Sequence, residues 1–350
     1  MRTSAPRTEL EHLPEEFEHP PHEVEAAVTP TRRGRLMRIA SVVVSVVFLA
    51  AAGWWISKQK IPSIPKGTHA YLSLAGALLI YAVATLCRGE RWHRLLRHTD
   101  VHPKRVDSYA IVAVGYAGNN ILPARAGEAM RTFLIAGSAN KTDSKREILG
   151  TIIAERVLDA AVLAIAFAFG AYGTLVSGNP IALLGIVVVG IAALCFFPSR
   201  FHPNPSHPRL KWVVESIGRL LAPTRKLISR EGMLLFAMTL VIWAVEASTY
   251  FLVAHAVGLG VSLDGAVFIM VVANFVSLIP AGPGYVGTFD AAVLFAAKSL
   301  GRSHGVAVSF LLLLRFVLFI PITITGLLLL VGRYGGIAGY RAARLQAAEA

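Results

Sequence analysis

Six stretches of this chain are predominantly apolar for 17 to 26 residues at a time: 36–57, 70–86, 148–172, 180–197, 233–257 and 306–331. As helices, runs of about 20 such residues match the roughly 30 Å hydrocarbon core of a bilayer. Only helices and closed barrels satisfy their own backbone groups there. With 55% hydrophobic and 16% charged residues over 350 positions, the chain is too apolar for a soluble domain of its size. The expected class is an all-α polytopic membrane protein with six to eight or more transmembrane segments.

Two further stretches do not fit a simple crossing. Ser108 to Leu122 is short for a span, and after a break at Pro123–Gly127 the segment Glu128 to Ala136 is shorter still. Ala266 to Leu300 is likewise interrupted, at Pro280–Gly287. Each reads as a broken, re-entrant helical hairpin or as two full crossings, and both readings keep the same sidedness. The two stretches are related. A shift of 157 positions lays Val106-Asp107 on Leu263-Asp264, Leu122-Pro123-Ala124 on Ile279-Pro280-Ala281 and Gly127 on Gly284. The repeat units run over about 70–172 and 233–331, and counting crossings gives them opposite topology, an inverted repeat of the kind found in secondary transporters.

The net charge of +13 sits beside the apolar runs rather than on a compact basic domain. Arg32, Arg33, Arg35 and Arg38 precede the first run. Arg88, Arg91, Arg94, Arg97, Lys104 and Arg105 follow the second, Lys141, Lys145 and Arg146 precede the third, and Arg333, Arg341 and Arg344 close the chain. The positive-inside rule then places both termini in the cytoplasm of a plasma-membrane protein. Anionic inner-leaflet headgroups, not nucleic acid, are the expected counter-charge. Residues 1–33, with seven glutamates, read as a disordered acidic tail. That tail argues against a signal peptide at 36–57, despite the small residues Leu49-Ala50-Ala51-Ala52-Gly53. The transmembrane domain covers 34–332 and 333–350 is a basic tail. Within the cytoplasmic loop 198–231, Leu210, Val213, Val214, Ile217, Leu220 and Leu221 recur at helical spacing, as in an amphipathic helix on the inner leaflet.

Charged residues inside the apolar segments are the candidates for function, since each costs about 2.5–3.5 kcal/mol to insert at mid-membrane by translocon scales. They are Arg125, Glu128, Arg131, Glu155, Arg156 and Asp159 in the first unit and Glu246, Asp290 and Arg315 in the second. Glu128 and Arg131, and Glu155 and Asp159, share helix faces. An arginine fork grips phosphate oxygens through paired hydrogen bonds, which suits Arg125, Arg131, Arg156 and Arg315 to an anionic lipid. The opposing reading makes these groups structural ion pairs. Asn119, Asn120 and Asn274 either hydrogen-bond headgroup hydroxyls or join neighbouring helices. Pro283, Gly284 and Gly287 shape a turn whose following helix points free N–H groups toward the same site. Cys87 and Cys195 have no metal-ligand spacing. No catalytic residue, metal site, cofactor or Walker-type loop is expected.

Three motifs, Arg125-Ala126-Gly127-Glu128, Glu155-Arg156-Val157-Leu158-Asp159 and Pro280-Ala281-Gly282-Pro283-Gly284-Tyr285-Val286-Gly287-Thr288-Phe289-Asp290, resemble the lysylphosphatidylglycerol synthase transmembrane-region family over residues 36–332. Tyr285 stands where that family has a glycine and Asp290 where it has a glutamate. The resemblance implies a flippase-like domain that moves an aminoacylated phospholipid or a polyprenyl-phosphate sugar between leaflets. Synthase activity, which belongs to a separate soluble domain, is not carried over. The alternatives are a membrane-embedded cell-envelope lipid enzyme, such as a glycosyltransferase, and a non-transporting scaffold. A homo-oligomer or a cell-envelope enzyme is left open as protein partner.

Overall fold

From Ala77 the residues Tyr81, Ala84, Arg88, Arg91 and Leu95 recur every three or four positions, and this stripe is the buried face of the first helix, α1 (Thr68–Leu96). The computed structural model describes residues 67–123, 125–138, 144–172, 229–277 and 282–349, all within Val42–Ala350, one of two compact units of the chain. The helices that follow are α2 (Arg105–Ile121), α3 (Ala126–Ser138), α4 (Lys145–Tyr172), α5 (Arg230–Ala256), α6 (Leu263–Val276), α7 (Thr288–Ser299), α8 (His304–Tyr334) and α9 (Gly336–Glu349). A short 3-10 turn, Pro283–Tyr285, separates α6 from α7. The described residues contain no strand.

The expected tail 1–33, the crossings at 36–57 and 180–197, and residues 198–228 of the amphipathic loop lie outside the described residues. Where the expectations are covered, three helices, α1, α5 and α8, are long and apolar enough to cross a membrane. At 28 residues α4 is equally long but carries Glu155, Arg156 and Asp159 within it. The hairpin arms α2, α3, α6 and α7 have 17, 13, 14 and 12 residues. At 1.5 Å per residue each falls short of a 30 Å core.

Local chemistry explains the ends. Pro123 holds Leu122 in an extended conformation, which stops α2. The Ser229 hydroxyl accepts from Gly232 N at 3.1 Å and starts α5. The Asp290 carboxylate accepts from Gly287 N at 2.9 Å at the start of α7, and Gly335, left-handed at φ 67, ends α8.

One expectation is corrected. The second crossing was expected to end at Leu86, with Arg88 and Arg91 in a cytoplasmic cluster. Instead α1 continues to Leu96 and buries both arginines, because their faces meet carboxylates on α4 and α5. Within 333–350, the expected basic tail, α9 packs on α3, with Phe133 and Tyr340 edge to face at 6.3 Å.

The packing joins helices that are distant in sequence. Along α1 and α5, Gly76 lies against Leu252, Arg88 pairs with Glu246, Arg91 bonds Thr239 at 2.9 Å and His98 pairs with Glu231 at 3.1 Å. Rising numbers on one helix meet falling numbers on the other, so the two run antiparallel. The same holds for α2 and α8, where Asp107 meets Arg333 at 2.9 Å and Asn120 meets Thr323 at 2.8 Å. At Gly326 a side-chain carbon would collide with the Ala113 carbonyl, so glycine is what permits this approach. Leu72, Leu79, Met233, Val241, Leu328 and Val331 face outward, as a lipid-covered belt does.

A charged cavity within the helix bundle

One connected set of ionic groups occupies the middle of the bundle. Arg131 on α3 donates to Glu155 on α4 at 2.7 Å, and its guanidinium lies 4.1 Å from the centre of the Trp92 ring. Arg91 on α1 lies 3.6 Å from Glu155 and donates to Asp159 at 2.8 Å. Asp159 also accepts from Trp243 at 3.2 Å and from Arg156 at 3.3 Å. Arg156 then pairs with Glu128 at 3.2 Å, and Arg125 lies at the same distance from the same Glu128 oxygen. This chain holds four guanidiniums against three carboxylates. One positive charge is therefore in excess.

The excess is localised where Arg125 and Arg156 share Glu128. Both guanidiniums face a cavity of about 130 Å³. Arg156 Nε is buried without a hydrogen bond, and Arg125 Nε has only the 3.2 Å contact with Glu128. A buried donor beside a cavity is rarely left without an acceptor. The Arg125 backbone adds a second sign, since its φ of 56° is uncommon for any residue but glycine. Across the cavity Tyr285, also left-handed at φ 55°, places its ring 6.0 Å below the Arg125 guanidinium. The two breaks thus meet. Ala124 and Ala281, at the tips of the repeated motifs, lie outside the described residues.

The sequence candidates divide into wall and support. Asn119, Asn120, Arg125, Arg156, Asp159, Glu246 and Asn274 line the cavity. Glu128, Arg131 and Glu155 stand behind it in the ionic chain. Gly127 packs against Gly115 and donates its N–H to Asn119 Oδ1 at 2.9 Å, which fixes the first break. Pro283, Gly284, Gly287, Asp290 and Arg315 brace the second. Arg315 pairs with Asp290 at 2.5 Å, donates to Gly284 O at 3.1 Å and lies against the Phe289 and Phe319 rings. Asp290 is thereby spent on the Gly287 cap and on Arg315, and does not reach the cavity wall. Asn120 joins α2 to α8 through Thr323 while also lining the wall.

Arg88, Arg91, Trp92, Tyr81, Tyr116, Trp243 and Tyr250 escaped the sequence reading. Arg88 pairs with Glu246 inside the cavity, with the Tyr116 and Trp243 rings at 6.0 and 5.8 Å. The signal for both arginines was present: positions 77, 81 and 84 extend in heptad steps to 88, 91 and 95.

Residues 38–326 match the profile of the family described as the lysylphosphatidylglycerol synthase TM region. The chain belongs to that family. It is 24% identical over 315 residues to a glycosyltransferase, AglD, of Haloferax volcanii, a match that covers 76% of this chain and 49% of that protein. It thus spans about half the length of that relative. A UPF0104 membrane protein of Methanothermobacter thermautotrophicus is 25% identical over 319 residues, covering 81% of this chain and 92% of its own length. A UPF0104 membrane protein of Pyrococcus horikoshii is 21% identical over 326 residues, covering 83% and 96%. These relatives and the apolar helices make this a membrane protein of the same type.

Proposed function

We propose that this protein binds the phosphate of an anionic amphipathic lipid in the charged cavity and passes that headgroup between the leaflets of the plasma membrane, without making or breaking bonds. The observation that carries the reading is the uncompensated charge shared by Arg125 and Arg156 in a cavity built from both repeats. A lipid phosphodiester supplies one negative charge and acceptor oxygens for the two guanidiniums, Arg156 Nε among them. Tyr81, Tyr116 and Tyr250 add hydroxyls suited to a glycerol or sugar alcohol.

The antiparallel pairing of α1 with α5, each heading its repeat unit, supports an inverted repeat with its pseudo-axis through the cavity. Such an arrangement offers two near-equivalent packings, one open to each side. The similarity to AglD favours a second reading, a membrane domain that holds a polyprenyl-phosphate sugar for a glycosyl-transfer step.

The test is leaflet exposure in proteoliposomes holding a fluorescent phosphatidylglycerol, with dithionite quenching the outer leaflet. Wild-type protein should expose the protected half within minutes, and Arg156→Ala should slow this at least tenfold while inserting normally. Exposure no faster than in protein-free vesicles, for both phosphatidylglycerol and a prenyl-phosphate sugar, defeats the transport reading. Consumption of the prenyl-phosphate sugar by the purified protein favours the second.

A further inference from the structure

Beside the charged cavity lies a larger one of about 390 Å³ between α1, α2 and α8. It begins at Leu78, Ala113 and Val317, at the depth of the charged cavity, and ends at Leu86, Val106 and Leu329. Its wall is almost entirely hydrocarbon. Tyr81 lines both spaces, so the apolar groove and the polar cavity adjoin at that ring. At the far end Leu86 and Val106 are 57% and 61% exposed. Leu86 continues the outward stripe of Leu72 and Leu79, so the groove opens sideways along α1, while Val106 lies beside Arg105 at the basic end of the bundle.

We infer that this groove holds one hydrocarbon chain of the lipid whose phosphate sits between Arg125 and Arg156, with Tyr81 at the junction of headgroup and chain. The inference rests on the headgroup reading above. Three features select this occupant. A wall without charge offers nothing to a headgroup, so the occupant is apolar. The open edge admits a chain from the bilayer while its polar end stays enclosed. The shared tyrosine joins the two spaces at the point where such a lipid changes from polar to apolar, and its amphipathic ring suits that boundary.

The groove also has a direction. Its open end lies where α1 finishes, α2 starts and α8 finishes, the end of the bundle that carries Arg94, Arg97, Arg105 and Arg333. By the positive-inside rule the chain enters from the cytoplasmic leaflet. A lipid bound in this way would have its headgroup deep in the bundle and its chain on the inner-leaflet side. A second acyl chain, if present, stays in bulk lipid.

The probe is a lysophosphatidylglycerol with a diazirine near the end of its chain, photolysed on the purified full-length protein in detergent. Capture should fall on peptides of α1, α2 and α8 that contain Leu86, Val106 and Leu329, at the far end of the groove. Ala82→Phe and Thr325→Phe fill the groove from exposed positions, so the fold tolerates them. Each should cut capture about tenfold, equivalent to losing burial of roughly two methylenes. The chainless headgroup, glycerophosphoglycerol, should raise the melting temperature of wild type and both variants alike. Capture scattered over the outward belt and unchanged in both variants overturns the groove while leaving the headgroup site standing. Groove capture without any effect of glycerophosphoglycerol on wild type overturns the junction at Tyr81 and the headgroup reading with it.

Discussion

Arg88 and Glu246 are each under a tenth exposed, and their pairing poses the choice between structural ion pair and transport site in its simplest form. Removing one member of such a pair leaves a buried charge alone and costs about 3–5 kcal/mol, whereas replacing both by apolar residues of similar size is often neutral. Arg88→Met and Glu246→Leu should therefore each lower the melting temperature in detergent, and the double variant should regain most of the loss. If the pair belongs to the headgroup site, the double variant stays folded and still fails to expose lipid between leaflets. Recovery of both stability and transport would assign the pair to packing alone. The carboxylate of this pair was visible in the sequence, its arginine was not. Sidedness counting assigned Arg88 and Arg91 to the solvent because basic residues cluster at helix ends. The heptad stripe through Tyr81 and Ala84 outweighs that rule, since a buried face with acidic partners holds arginine inside. Partners from distant helices are not encoded in any local window.

The helices themselves were far more legible. Pro123 followed by Gly127, and Pro283 among Gly282, Gly284 and Gly287, cluster helix breakers, so both breaks could be read from residue type; a lone proline does not suffice, since Pro321 lies inside α8. The approach of one helix to another could not, because it depends on what lies opposite. Gly326 is the example: alone it is a glycine in an apolar run, yet it seats α8 against the Ala113 carbonyl and the Ala117 side chain. Gly326→Val should separate α2 from α8 and cost about 1–3 kcal/mol by overpacking. Gly332→Val in the same helix meets no atom within 4 Å and should have little effect. Thermal aggregation of the two variants in one detergent distinguishes them, and equal stability would show that α2 and α8 do not meet at this depth.

On the scale of the whole molecule, contacts among distant helices gather the basic ends together. His98 at the end of α1 meets Glu231 at the start of α5, and Asp107 at the start of α2 meets Arg333 at the end of α8. Arg94, Arg97, Lys104, Arg105, Arg230 and Arg333 therefore share one end of the bundle, although they come from four helices. The sequence suggested this grouping through charge alone, and the antiparallel packing reaches it through geometry. Because α8 has 31 residues, its start lies about 46 Å from its end at 1.5 Å per residue, which exceeds the hydrocarbon thickness. Ser303, just before α8, then belongs on the face opposite His102, in the turn between α1 and α2. By the positive-inside rule the His102 face is expected in the cytoplasm. In a background with Cys87→Ser and Cys195→Ser, a membrane-impermeant maleimide applied to intact cells should label Ser303→Cys and spare His102→Cys. Permeabilised cells should label both. Labelling of both sites from outside would mean that α8 does not span, and labelling of His102→Cys alone would reverse the orientation and with it the leaflet from which the groove is loaded.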